Sequence, residues 1–418
     1  MPSKFGENTT LPRMSAPHPQ VIPPAKPPAA RENPHVALII ETTLASGRDI
    51  LRGIARYVRE HGPWSLFTAP RSLHEPVPSW LKHWEGDGII ARVQSRKMAD
   101  AVAATGLPVV DVLGNVSSAG FPLVHVDHAK VAQMAAEHLL ALGLGHFGFV
   151  DFPEESWSQE RRDAFIEAVR GTDPNSTVFT LARRSSSPQK SWEAEIDEMA
   201  QWIRRIPKPA GIMVCSDQRG PDVMEACRRA KASVPDDVAV IGVDNDVPLC
   251  EVSNPTLSSV WPGHFRVGIE AAALLDRLMA GEPPPKEPIL VPPLEVITRH
   301  STEVLAVDDS VVAAALRFMR DRACEGVNVD EIAQSIGVSR SVLQRRFRAR
   351  LGRTLHDELI AIRIRRATEL ILHSSLPLAE IAKRSGFKHA EYMGVVFKTR
   401  LGKTPAQLRR ENAGVKPA

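Results

Sequence analysis

Glu331-Ile332-Ala333-Gln334-Ser335-Ile336-Gly337-Val338 is echoed further along the chain by Glu380-Ile381-Ala382-Lys383-Arg384-Ser385-Gly386-Phe387. Each copy then runs to a phenylalanine and a basic stop, Phe347 to Leu351-Gly352-Arg353-Thr354 and Phe397 to Leu401-Gly402-Lys403-Thr404. Glycine, apolar positions and basic residues recur in step, so the match is not a chance run. A short helix, a glycine turn and a second, basic helix make a helix-turn-helix. Two in tandem imply a reader of double-stranded promoter or operator DNA.

In the first copy, Ser339 stands where a side-chain oxygen would cap the second helix. At 100° per residue, Val342, Leu343 and Phe347 form its inward stripe, and Arg340, Ser341, Gln344, Arg345 and Arg348 face outward. By itself such a face is equally a solvated basic surface. Beside the repeated scaffold it suits a major groove: arginine for guanine, glutamine for adenine, serine for either. The second copy's helix, His389–Arg400, turns Tyr392, Met393, Val396 and Phe397 inward. That leaves Lys388, His389, Glu391 and Lys398 as polar contacts, with Gly394 and Val395 where readers would sit. The first helix is therefore expected to carry most of the specificity and the second to clamp the backbone. Between them Leu355–Leu372 reads as one long helix, with Leu359, Ile362, Arg366 and Leu370 at helical spacing. Its Arg363, Arg365 and Arg366 read as a solvated face with incidental phosphate contact.

Working outward, the 418 residues suffice for two or three domains, and the net charge of +3 hides an asymmetry. From Asp308 onward there are 21 Lys and Arg against 12 Asp and Glu, a net +9, and the first 307 residues carry 31 against 37, a net −6. A polyanionic partner is implied for the C-terminal part alone. Cys215, Cys227, Cys250 and Cys324 have no CxxC spacing and read as buried free thiols of a reducing compartment. No run approaches a membrane span. The first 34 residues hold nine prolines and no apolar signal core, so they read as a disordered tail and the protein as cytoplasmic.

Ordered sequence begins near His35 with Val36-Ala37-Leu38-Ile39-Ile40, an apolar run typical of a buried parallel strand. Strand-like runs recur at 64–68, 88–91, 109–112, 147–150, 212–215 and 238–243, with helical stretches at 130–142, 161–170, 192–205 and 221–232 between them. This alternation predicts an α/β region of parallel sheets, long enough for two doubly wound lobes facing across a cleft. A last extended segment is expected over Ile289–Val296. The organisation read here is a Pro-rich tail (1–34), a two-lobed domain (35–297), a linker (298–307), an all-α domain with two helix-turn-helix motifs (308–410) and a short tail (411–418).

The second copy, from Gly386-Phe387 through Phe397-Lys398 to Gly402-x-Thr404-Pro405, resembles the signature of the AraC/XylS family of transcription regulators. Met393 stands where an aromatic is common, and Val395 where a basic residue is common. Upstream, Gly211-Ile212-Met213-Val214-Cys215-Ser216-Asp217 and Val240-Ile241-Gly242-Val243-Asp244-Asn245-Asp246 are similar to the periplasmic-binding-protein-like effector domains of LacI-type repressors. The combination resembles the bacterial xylose-operon regulators. That resemblance implies a sugar-responsive regulator, an activator of pentose genes acting through RNA polymerase, with D-xylose the first effector to consider. Repression of another sugar operon fits the same architecture. A homodimer would place the reading heads on repeated half-sites.

Sugars are held by carboxylates and guanidinium groups on paired hydroxyls, with an aromatic plate on the ring face. Open α/β sheets place such groups at the C-terminal strand ends. Candidates are Asp217 with Arg219, Asp244-Asn245, Arg48 after the first strand, and Trp157 or Trp261 as the plate. Arg161 matches the arginine of the LacI-type R-x-x-[GA]-F helix start. Plainer roles exist: Asp217 as a cap on the helix from Pro221, Asp244 holding its own turn, Trp157 packing a loop. LacI-type relatives often carry a glutamine ligand where this chain has Pro262, which removes one amide contact. His125-x-Asp127-His128 imitates a metal site, but Asp127 reads as a helix cap and no fourth ligand is evident, so neither metal nor cofactor is expected. A sugar-active enzyme would need Asp217 and Asp244 as paired carboxylates, yet no nucleophile motif or phosphate loop accompanies them.

Overall fold

The computed structural model describes residues 33–72, 75–116, 119–181, 191–303, 309–374 and 376–413. Nearly all of the Pro-rich stretch, the last four residues of the expected linker (304–307) and the last five residues of the chain lie outside these.

The first lobe holds β1 (His35–Ile39), α1 (Ala45–His61), β2 (Ser65–Thr68), β3 (Gly88–Ala91), α2 (Arg96–Ala103), β4 (Val109–Asp111) and β5 (Val124–Val126). Its parallel sheet runs β2-β1-β3-β4. Successive strand residues point to opposite faces, and in the central strands β1 and β3 both faces are buried, which is why these strands read as apolar runs. Val36, Leu38 and Ile90 join the core that also takes Ile50 and Ile54 of α1. Ala37, Ile39 and Ile89 join the one that takes Met98 and Val102 of α2.

The second lobe follows with α3 (His128–Leu140), β6 (His146–Val150), α4 (Ser156–Thr172), β7 (Thr177–Leu181), α5 (Trp192–Arg205), β8 (Ala210–Val214), α6 (Gly220–Ala230), β9 (Val238–Val243), α7 (Val247–Val252) and β10 (Ser258–Trp261). The chain then returns to the first lobe as α8 (His264–Met279) and β11 (Ile289–Val291), and crosses again as β12 (Glu295–Ile297). The second sheet is ordered β12-β10-β9-β8-β6-β7, with β12 antiparallel to β10. The single extended segment expected over Ile289–Val296 is thus two strands in different lobes, β11 beside β5 and β12 beside β10. Pro292 and Pro293 lie between them and have no N–H for a continuous ladder. Three crossovers therefore join the lobes: β5 to α3, β10 to α8, and β11 to β12.

The linker expected from residue 298 begins later. Ser301 and Thr302 are buried; Ser301 Oγ donates to Val240 O at 2.6 Å and accepts from Ser258 N at 2.8 Å. Polar composition suggested a tether, but these hydroxyls are satisfied inside the second lobe, which extends through this turn.

The helical domain comprises α9 (Ser310–Arg322), α10 (Val329–Ile336), α11 (Arg340–Leu351), α12 (Leu355–His373), α13 (Leu378–Arg384), α14 (Ala390–Leu401) and α15 (Pro405–Ala413). The last helix passes the boundary expected at 410. α12 serves two cores: Leu355 and Leu359 pack with Ile332, Leu343 and Phe347, while Ile360, Ala367 and Ile371 pack with Ile381, Met393 and Phe397. The arginine cluster on α12 is not merely solvated. Arg363 is half-buried and donates to Ala323 O at 2.9 Å and Val327 O at 2.6 Å, and Arg365 pairs with Glu303 of the effector domain. Arg320 of α9 makes a second tie, to Asp236 at 3.2 Å and to Glu303 O at 2.8 Å.

Candidate functional site

A cavity of about 270 Å³ lies between the lobes. Of the residues expected to hold a ligand, Trp157, Arg161 and Asp244 line it together. Arg161 is 2 % exposed and sits inside α4, past its first turn rather than at its start. Its Nε donates to His128 Nδ1 at 3.2 Å, another guanidinium nitrogen donates to Cys215 O, and the group lies 4.9 Å over the Trp157 ring. Trp157 belongs to the same helix, and its Nε1 donates to Glu155 Oε2 at 3.0 Å.

Asp244 stands just beyond β9 with φ of +110°, and Asn245 follows at +50°. Two consecutive non-glycine residues at positive φ are costly and persist only where their surroundings hold them. Here Asn245 N donates to Ser259 Oγ at 3.0 Å, and Arg299 donates to Asn245 Oδ1 at 2.7 Å. The turn aims Asp244 at the cavity, where Ser216 Oγ donates to it at 2.9 Å and His264 Nε2 lies 3.2 Å away. Burial by itself would raise the Asp244 carboxyl. His264, Arg161 and Ser216 outweigh it and hold the group below the usual carboxylate range.

Five expected ligand residues lie elsewhere. Asp217 is 1 % exposed and works beneath the strand ends, accepting from Ser259 Oγ at 2.8 Å and Asp246 N at 2.8 Å. It supports the turn that presents Asp244, and only a glycine at 242 leaves it room, since a Cβ there would fall 2.0 Å from Asp217 Oδ1. Arg219 pairs with Glu195 at 2.9 Å and Asp222 at 2.8 Å while stacking on Phe152, a cavity residue. Arg48 is exposed, donates to Thr43 O at 2.8 Å, and approaches Asp246 of the second lobe at 3.9 Å. Asn245 is occupied by Arg299, and Trp261 is outside the cavity lining.

The histidines were not anticipated. His125 and His128 flank the β5–α3 crossover and His264 opens α8 after the β10 crossover, so the cavity sits at the axle of the two lobes. Burial holds His128 neutral and lowers His125 to about 4. Asp127, between them, accepts from Lys130 N at 3.0 Å as a helix cap. The His-x-Asp-His spacing gave the signal; its reading as a metal mimic hid its place in the cleft. Among the described residues His125 Nδ1 and Arg92 Nε are buried without a hydrogen-bond partner, and both side chains line the cavity.

At the other end, Ser339 Oγ accepts from Val342 N at 3.4 Å, with Leu343 and Phe347 buried and Ser341, Gln344, Arg345 and Arg348 exposed. Arg340 is exposed but pairs with Asp330 at 3.0 Å. In the second copy Lys388, His389, Glu391 and Lys398 are exposed, and Lys398 Nζ donates to Gly402 O at 2.9 Å. Tyr392, expected inward, is 44 % exposed: Met393 and Phe397 fill the core, and Tyr392 packs edge-on with Phe387.

Family models match in three places: an XylR N-terminal domain over residues 35–127, a periplasmic-binding-protein-like domain over 136–302 and a helix-turn-helix domain over 332–411. The xylose operon regulatory protein of Escherichia coli strain K12 is 30% identical over 390 residues, covering 91% of this chain and 98% of that protein. Its counterpart in Haemophilus influenzae is 29% identical over 382 residues, covering 90% and 97%. A solved structure of a xylose-binding transcription activator, XylR, superposes with a TM-score of 0.76 at 28% identity, over 91% of this chain and 98% of that one. With both lobes and both helix-turn-helix units matched end to end, the chain belongs to the family of the xylose operon regulatory proteins.

Proposed function

We propose that this protein is a sugar-switched transcription regulator, in which a pentose of the D-xylose type closes the two lobes and changes how the paired reading helices meet promoter DNA. The observation that carries the proposal is the buried Arg161–Asp244–His264 cluster, drawn from α4, the turn after β9 and the β10–α8 crossover, in a chain that ends in tandem helix-turn-helix units. The cations in the cavity are matched: Arg161 lies 4.0 Å from Asp244, and Arg92 pairs with Glu41. Glu154 and Glu155 add negative charge to the rim. A neutral polyol suits such a site, with hydroxyls that both donate and accept. A sugar phosphate would bring charge with no unmatched cation to meet it. Asp217, the partner carboxylate a sugar-active enzyme would need, is engaged beneath the strand ends.

Closure follows from differential affinity alone: shifting the lobes from 1:99 to 99:1 takes a preference of about 10⁴ for the closed form. The similar solved structure of a xylose-binding transcription activator supports D-xylose as effector and activation as the direction of control; activation through RNA polymerase, a homodimer joined by effector domains and a cytoplasmic setting complete the reading. Titration calorimetry of the full chain with D-xylose, other pentoses, hexoses and xylose 5-phosphate tests it. A neutral pentose should bind, and Asp244→Asn should weaken it by about 2 kcal/mol, the worth of a charged hydrogen bond. Heat from the phosphate alone, or from no sugar, would overturn the assignment.

A further inference from the structure

The two reading helices can be laid on each other residue by residue. α11 starts at Arg340 and ends at Leu351 before Gly352; α14 starts at Ala390 and ends at Leu401 before Gly402. Leu343 and Phe347 are buried without exposure, and so are their counterparts Met393 and Phe397. Both helices therefore enter their subdomains by the same face and turn the same positions outward. In that register Arg345 corresponds to Val395, and Gln344 to Gly394.

Val395 is 63 % exposed, an isopropyl group held where the first copy presents a guanidinium. A Cβ on Gly394 would meet nothing within 4 Å, so no packing requires a glycine there. What its absence of side chain provides is clearance beside Val395 for a base edge. One turn back, Tyr392 adds a second exposed apolar surface, fixed edge-on by Phe387. Exposed Lys388 and Lys398 lie at the two ends of this stretch.

The C5 methyl of thymine is the one apolar group on the major-groove edges of the base pairs. Valine against guanine, adenine or cytosine would strip water from a polar edge and return no hydrogen bond, whereas against thymine it buries one methyl on another. Resting on the reading of this chain as a DNA-binding regulator, we infer that Val395 is a specificity-determining residue that selects thymine by methyl contact. The second unit then reads sequence by apolar contact as well as clamping the backbone.

The experiment uses the full chain and a duplex enriched from random sequence. Each thymine is replaced singly by deoxyuridine, which lacks only the methyl. At a thymine in the second unit's segment, affinity should fall about three- to five-fold, the worth of one buried methyl. Val395→Ala should abolish that penalty, and Val395→Arg should move the preference at that position from thymine to guanine. Deoxyuridine tolerated at every position, as expected if Val395 instead meets a protein, overturns the inference and leaves DNA reading intact. So does a penalty that persists in Val395→Ala. Failure to enrich any duplex over random DNA would overturn the DNA-reading assignment itself, and the inference with it.

Discussion

The two helix-turn-helix units share a plan but are fastened differently. The first is held by its own side chains: Asn328 and Glu331 form a reciprocal capping box on α10, Ser339 caps α11, and the Gly337 turn borders open space. The second has no side-chain cap on either helix, with Pro377 and His389 at the cap positions. It is held from outside, where Gly386 presses on the junction after α9. One unit is secured locally and the other by tertiary contact, so the same residue type carries different weight in each.

The largest expected effect tests that contrast directly. Gly386 and Gly337 both have φ near +75°, and alanine there costs about 1–2 kcal/mol in backbone strain. At 386 the added Cβ would also fall 2.4 Å from Ala323 O, bringing the total to roughly 3 kcal/mol or more, whereas 337 has room. Denaturant melts of the two variants should differ by at least about 1 kcal/mol; equal losses would break the comparison. Next comes Arg345→Ala, which should reduce discrimination among operator variants by about 1–3 kcal/mol in competition binding. A uniform loss on every sequence would make Arg345 a phosphate contact. The smallest effect sharpens the local half: Asn328→Ala should lower stability by about 1 kcal/mol, since two backbone N–H groups of α10 lose their acceptor. No change in the melt would mean that α10 too is held mainly by its neighbours.

Where a signal is local, the sequence carried it. Strands buried on both faces appear as apolar runs, and β3 and β9 occupy the residues expected of them. The helix repeat located both reading helices because Leu343, Phe347, Met393 and Phe397 recur at fixed places. The cleft was legible only in part. Strand ends identify a rim but not which rim residue faces inward, so Asp217 and Asp244 looked equivalent although one supports the other. His125 and His128 were visible as a closely spaced pair, but His264 joins them only because a second crossover brings it to the cavity, which no spacing in the chain records. Arg363 and Tyr392 went astray for a related reason: a helical wheel separates inside from outside within one helix and says nothing of what a neighbouring helix covers.

Ala323 has a final consequence. Its carbonyl accepts from Arg363 of the helix shared by both units, and the Gly386 turn abuts the same atom, so one peptide group is the common bearing for both readers. Their pitch is then a property of the protein, like the gap of a fixed caliper. When that gap and the helical repeat of an operator disagree, the duplex must curve to fit, at an energy set by its own base steps. Base pairs that no side chain touches would thereby enter the recognition code.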